Sequence, residues 1–196
     1  MSNILNRKVF FIKEHTGLFK AANNYDILDP ESQNLIMECR EEGLSLLTKI
    51  FRFHNDFKRM TPFNIIVKTP DGKQVVRVSK GISFFVSKVD VFDESDRLIG
   101  GFQQKFFSIG GKFNVMDAQG KEICKLQGKW TGWDFKFADD KDEFGHVTKK
   151  WAGIGKELFT SADNYILEIY DKAPHDSVLR KLIIAAVMCI DMVLKE

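Results

Sequence analysis

The stretch VLRKLIIAAVMCIDMVLKE, residues 178–196, is the most apolar run of the chain, and its reading decides the fold. From Leu182 to Leu194 there are 13 residues, interrupted by one charge, Asp191. As an α-helix they cover roughly 20 Å of a hydrocarbon core that is about 30 Å thick. Extending the run back to Val178 adds Arg180 and Lys181, which can snorkel, while Asp191 stays costly in lipid. Arg180, Ile184, Met188, Asp191 and Lys195 fall along one stripe, with Asp191 and Lys195 an i,i+4 pair on it. The remaining faces are apolar. A helix apolar nearly all round, in a chain rich in strands, is the core of that β structure. Leu182, Ala186, Cys189 and Asp191 are its core-helix positions. It begins after Pro174, with Asp176 or Ser177 as its N-cap.

Working outward, the middle of the chain repeats a theme. NIIVKTPDGKQVVRVSK, KVDVFDESDRLIGGFQQKF, KFNVMDAQGKEICKLQGKW and DFKFADDKDEFGHVTKKW each set an Asp-rich turn between two short runs. Asp71, Asp93, Asp117 and Asp140 mark those turns. Pro presets φ, Asp bonds nearby backbone and Gly accepts positive φ. Val76 and Val78 alternate with Arg77 and Ser79, and Phe135 and Phe137 with Asp134 and Lys136, the period-2 pattern of half-buried strands. YDILDPESQNLIMECR before them and NYILEIYD after them bring the series to eleven or twelve strands. So many antiparallel strands must close or sandwich, because open edges invite aggregation.

Composition fits this reading. The 196 residues suggest a single domain, 1–196, able to bury a sizeable core. With 44% hydrophobic and 29% charged residues the balance is globular, and a net charge of +2 gives no reason to expect nucleic acid. Cys39, Cys124 and Cys189 are odd in number and in no CxxC spacing, which suits free thiols in a reducing compartment. MSNILNRKVFFIKEH lacks a secretory apolar region and a small-residue cleavage site, so a cytoplasmic location is expected, peripheral at the membrane if lipid is engaged. There is no GxSxG, HExxH or Walker-type loop, so no enzyme activity is expected. His15, His54, His146 and His175 form no ligand motif, and the Gly pairs at 100–101 and 110–111 read as strand bends or bulges.

Four stretches resemble the phospholipid scramblase family in order and spacing: YDILDPESQNLI (25–36), KRMTPFNIIV (58–67), GKFNVMDAQGKEICKLQGKW (111–130) and KKWAGIGKELFTSADNYILEIY (149–170). The most specific piece is KxWxGxxxExFTxADNY from Lys149 to Tyr165, and the similarity covers roughly residues 20–196. The resemblance groups the chain with Tubby-like C-terminal and plant LURP-one-related domains. It implies a mainly β fold, a closed antiparallel barrel of about twelve strands around a central buried C-terminal helix. It also implies interaction with membrane phospholipid, either lipid redistribution or phosphoinositide binding. Function does not follow from fold and must be argued from sites.

Three sites are candidates. The resemblance implies an acidic calcium segment, here SADNYILEIYDK (161–172). Ser161 and Asp163 stand at its first and third positions, but Ile166 and Lys172 occupy the sixth and twelfth, where Gly and a carboxylate belong. A strand with Ile166, Glu168 and Tyr170 on one face is the simpler reading, so no cofactor is expected. The second candidate is KIFRFHNDFKRM (49–60), where Lys49, Arg52, Lys58 and Arg59 alternate with phenylalanines, as suits an anionic headgroup layer. The alternative there is a loop whose phenylalanines dip into the core. The third is Lys80, Lys105, Lys129 and Lys150, which close successive strands and would gather at one rim of a barrel. Strand-end lysines also serve as ordinary edge protection. The animal members' cysteine-rich palmitoylation segment and Pro-rich extension have no counterpart in this sequence. The expected partner is an anionic phospholipid or membrane surface at the cytosolic face, with protein partners in addition. The rival is a soluble protein-interaction or small-ligand module that keeps the fold without lipid activity.

Overall fold

The computed structural model describes residues 2–15, 22–45, 48, 60–82, 88–104, 112–129, 133–149 and 164–194, and for residues 2, 3, 129 and 191–194 the backbone alone. A short helix, α1 (Ser2–Leu5), precedes twelve strands: β1 (Val9–Glu14), β2 (Tyr25–Leu28), β3 (Leu35–Glu41), β4 (Phe63–Lys68), β5 (Gln74–Lys80) and β6 (Lys88–Phe92). They continue as β7 (Leu98–Gln104), β8 (Phe113–Asp117), β9 (Glu122–Lys129), β10 (Asp134–Ala138), β11 (Glu143–Thr148) and β12 (Asn164–Ile169). The final helix is α2 (Val178–Leu194). Each strand pairs antiparallel with its chain neighbours, and β1 pairs with β12 to close a barrel without free edges. The mainly β fold read from the sequence is the observed one.

The strands alternate as their sequences require. Val76, Val78, Phe135 and Phe137 are fully buried and point inward, while Arg77, Ser79, Asp134 and Lys136 face out. Their interior partner is α2, which packs against β5, β6, β7 and β12. Every residue from Leu182 to Ile190 is buried, including Ile184 and Met188 on the stripe that carries Arg180. Burying each large aliphatic side chain there stabilises by roughly 2 kcal/mol before entropy is counted. Ser177 is the N-cap, its Oγ accepting the Arg180 N–H at 3.4 Å.

Arg180 is fully buried. Its Nε donates to the Ala173 carbonyl at 2.9 Å, and its Nη1 donates to the carbonyls of Leu5 and Arg7, each at 3.0 Å. One side chain therefore ties the start of α2 to the chain on both sides of the β1–β12 seam. Asn6 and Asp176 add two hydrogen bonds across the same junction, at 3.0 and 3.4 Å. Burial lowers the Arg180 pKa, and the negative charges of Asp171 and Asp176 oppose that shift.

The hairpin turns share one construction. Asp93 Oδ1 accepts the N–H groups of Ser95 and Arg97, and Asp117 Oδ1 accepts those of Gln119 and Lys121. The third residue after each takes positive φ, Asp96 at 57° and Gly120 at 80°, and a register shift follows in which Ile99 and Ile123, on the strands after the turns, are left unpaired. This is a type I turn closed by a left-handed residue and a bulge. Two turns differ from the sequence reading. In the β4–β5 turn Thr69 takes the organising place, its Oγ1 accepting the Lys73 N–H, while Asp71 sits at the tip and accepts the Thr69 hydroxyl. In the β10–β11 turn the organiser is Asp139, which accepts from Lys141 and Asp142, rather than Asp140. Gly100 does lie at a bulge, beside the register shift between Val91 and Phe92; Gly110 and Gly111 are outside the described residues.

Gly100 also sets the helix distance. A Cβ there would lie 2.3 Å from the Met116 carbonyl oxygen and 3.2 Å from the Leu182 side chain, at φ 150°. Gly120 has open space around it. Gly120→Ala should cost about 1 kcal/mol, the left-handed penalty alone, and Gly100→Ala about 3 kcal/mol or more because backbone or helix must shift. Equal midpoint losses in urea unfolding would remove the close-approach account of Gly100.

The Asp93 turn carries a pH signature. The backbone N–H of Arg97, then its guanidinium and the N–H of Ser95, hold the Asp93 carboxyl at about 2 against the opposition of desolvation. A depressed carboxylate contributes its stability fully above the unfolded value near 4, and that contribution is lost as pH falls through about 2. Asp93→Asn should therefore lower the unfolding midpoint most above pH 4. The gap should close toward pH 2, and a gap independent of pH would contradict the assignment.

Candidate functional site at the loop end of the barrel

Alternating strand direction sorts the connections into two sets. The turns after β2, β4, β6, β8 and β10, together with the β12–α2 link, lie at one end, called here the turn end. The connections after β1, β3, β5, β7, β9 and β11 lie at the other, the loop end. The candidates Lys49, Arg52, Lys58, Arg59, Lys105, Lys150, Ser161 and Asp163 all belong to loop-end connections, and they lie outside the described residues. Lys129 is the last residue of β9 at that end, its backbone paired with Asp134 and its side chain outside the description.

Composition separates the ends sharply. Loop-end connections contain ten Lys and Arg against four Asp and Glu. Turn-end connections contain five against eleven. Loop-end connections also hold all three tryptophans and nine of the 18 phenylalanines, whereas turn-end connections hold no Trp or Phe. The small net charge of the chain hides this separation along the barrel axis.

Lys80 is the described member of the strand-end lysines whose side chain can be followed. It points inward with Val76 and Val78 and is 3% exposed. Its Nζ donates to the Thr61 carbonyl at 3.1 Å and lies 6.0 Å from the centre of the Phe63 ring. Its positive charge reaches Cys189 on α2. A recess of about 200 Å³ opens beside it, lined in part by Glu41, Asn64 and Ser79.

A second cluster was not legible in the sequence. Lys149 places its Nζ 4.4 Å from the Trp133 ring centre and 5.3 Å from that of Tyr165, and the two rings lie 4.8 Å apart. Trp133 holds φ 46°, a conformation that costs a non-glycine residue and is maintained only by its surroundings. The adjacency of Trp133 to an alternating strand was the available signal, but only the barrel brings β10, β11 and β12 side by side.

The SADNYILEIYDK stretch runs the length of the barrel. Asn164–Ile169 is β12, Ile166 is fully buried, and Lys172 pairs with Asp142 at the turn end at 3.0 Å. Its twelfth position is therefore a strand length, roughly 20 Å, from the loop end where β12 begins. One cation cannot be wrapped by both. Among the described residues no group of three or more His, Cys, Asp and Glu is suited to a metal ion.

Leu182, Ala186 and Cys189 are all buried, and Asp191 lies on α2 with its side chain outside the description. Among the described residues no helix is long and apolar enough to cross a membrane. All three cysteines are free and buried; burial pushes the Cys124 thiol up to about 12 and those of Cys39 and Cys189 well above the ordinary thiol range.

Barrel, threaded helix and sequence converge on one class. The scramblase family model matches residues 3–196, so the chain belongs to the scramblase family. It is 23% identical over 173 residues to a phospholipid scramblase family protein of Schizosaccharomyces pombe, covering 84% of this chain and 45% of that one. It is 20% identical over 193 residues to phospholipid scramblase 2 of Homo sapiens, covering 91% of this chain and 62% of that one. The chain thus spans roughly half to three fifths of the curated relatives it matches. No solved structure matches it.

Because every thiol is enclosed, Cys39, Cys124 and Cys189 should all resist an aromatic disulfide reagent in buffer and react together in denaturant. Rapid native reaction of Cys189 would mean that the barrel opens around α2.

Proposed function

We propose that this chain engages anionic phospholipid at a cytosolic membrane face through the loop end of its barrel, as part of lipid redistribution. The observation that carries the reading is the separation of charge between the two ends, with a cationic excess at one and an anionic excess at the other. A surface of this kind orients a protein on negatively charged lipid, each Lys or Arg near the surface contributing about 1 kcal/mol. Family membership supports phospholipid as the partner, and the name of the human relative specifies phospholipid. Three free, buried cysteines suit the reducing cytosol. No cofactor is required by this reading: electrostatic attraction to the lipid headgroups does the work.

Flotation of the purified chain with neutral and anionic vesicles, at low and physiological salt, tests the reading. Binding should be confined to anionic vesicles and weaken as salt rises. Lys112→Glu, at an exposed loop-end position, should weaken it at least about fivefold, while Lys121→Glu at the turn end should leave it unchanged. Absence of binding at low salt would favour a protein-interaction or small-ligand module built on the same fold.

A further inference from the structure

We infer that the barrel meets the bilayer end-on, loop end first, and that the tip at Ile82 enters the interfacial layer beneath the headgroups. The inference rests on the phospholipid reading above and adds an orientation and a depth to it.

Ile82 is 68% exposed, more than any other large hydrophobic residue among those described. It stands two residues beyond Lys80, where β5 ends at the loop end, and nothing lies within 4 Å of a Cβ built on the neighbouring Gly81. An exposed isoleucine alone needs no explanation. This one follows β5 at the end whose connections carry the cationic excess and all three tryptophans of the sequence. Trp133 and Lys149 supply a built example of the amphipathic pairing that suits a membrane interface, an indole with an ammonium 4.4 Å from its ring centre.

Among the described residues three other large hydrophobic side chains are exposed, Leu35 at 41% and Leu98 and Val178 at 44%. Each begins its element at the turn end, among the connections with eleven Asp and Glu. An anionic surface repels that end, so charge selects between the two apolar sets. The partner is then the interfacial zone of an anionic bilayer, entered with the barrel axis near the membrane normal.

The buried native cysteines make a clean test. Ile82→Cys and Gln119→Cys each add one accessible thiol, the first at the loop end and the second at an exposed turn-end position. Each is labelled with a nitrobenzoxadiazole probe and mixed with vesicles of phosphatidylcholine and phosphatidylserine, with and without brominated acyl chains. The label at 82 should brighten, shift to shorter wavelength and lose intensity to the brominated chains; the label at 119 should do none of these. Binding by flotation without a response at 82 would overturn insertion and leave the electrostatic reading standing. A response at 119 in place of 82 would overturn the orientation, and absence of flotation would overturn both proposals. Ile82→Asp should also weaken vesicle binding, and undiminished binding by that variant would count against insertion.

Discussion

The arrangement depends on enclosing a helix within a closed sheet, and Arg180 is where that enclosure is fastened. A guanidinium taken fully from water needs hydrogen bonds, since buried polar groups left unpaired are costly; Arg180 makes them through Nε and Nη1, while its buried Nη2 makes none. Here the acceptors are main-chain carbonyls at Leu5, Arg7 and Ala173. They belong to segments that flank β1 and β12, the two strands whose pairing closes the barrel. Closure and helix capture are thus coupled through one side chain. The β1–β12 contact joins residues more than 150 positions apart, which makes the seam the least local pairing of the sheet.

Much of this was legible because hairpins and amphipathic strands are local. The turns announced themselves through Asp and Gly, and the apolar tail was too short and too interrupted to span a bilayer. What escaped the sequence was set by contacts between distant segments. The run VFFIKE did not join the series of hairpins because Phe10, Phe11 and Ile12 are all buried, and a strand covered on both faces shows no alternation. Asp139 and Asp140 are indistinguishable in composition; only the backbone geometry decides which carboxylate accepts the turn N–H groups. Lys80 looked like any strand-end lysine, yet the register that turns Val76 and Val78 inward turns it inward as well. Lys149 and Tyr165 open and close the KxWxGxxxExFTxADNY motif, but nothing in the sequence joins them to Trp133, which only the neighbouring strands bring alongside.

The two ends of the barrel are built differently. Turn-end hairpins are short and satisfied by their own Asp and Thr side chains, which leaves little surface to vary. Taken together, the loop-end connections are longer, more cationic and more aromatic, and binding residues are commonly carried on loops held by a rigid scaffold. The α2 macrodipole runs against this separation, its negative end lying toward the cationic loops. Lys80 is buried against the core, and its positive charge acts on Cys189 of that helix.

The filled interior also constrains what lipid chemistry the fold can perform. A path for headgroups through the barrel would require α2 to leave it. That would expose Leu182, Ile183, Ile184, Val187, Met188 and Ile190, each worth roughly 1.5–3 kcal/mol of burial. The sum is comparable to the whole stability of an ordinary domain, about 5–15 kcal/mol, and the Arg180 hydrogen bonds would be lost besides. Insertion of the released helix would not recover this simply, because α2 is 17 residues long and begins with Arg180 and Lys181 near its entry. An intact barrel can act on lipid only from its surface. Under the proposed phospholipid reading, any movement of lipid between leaflets would therefore call for a perturbed bilayer or for further copies or partners.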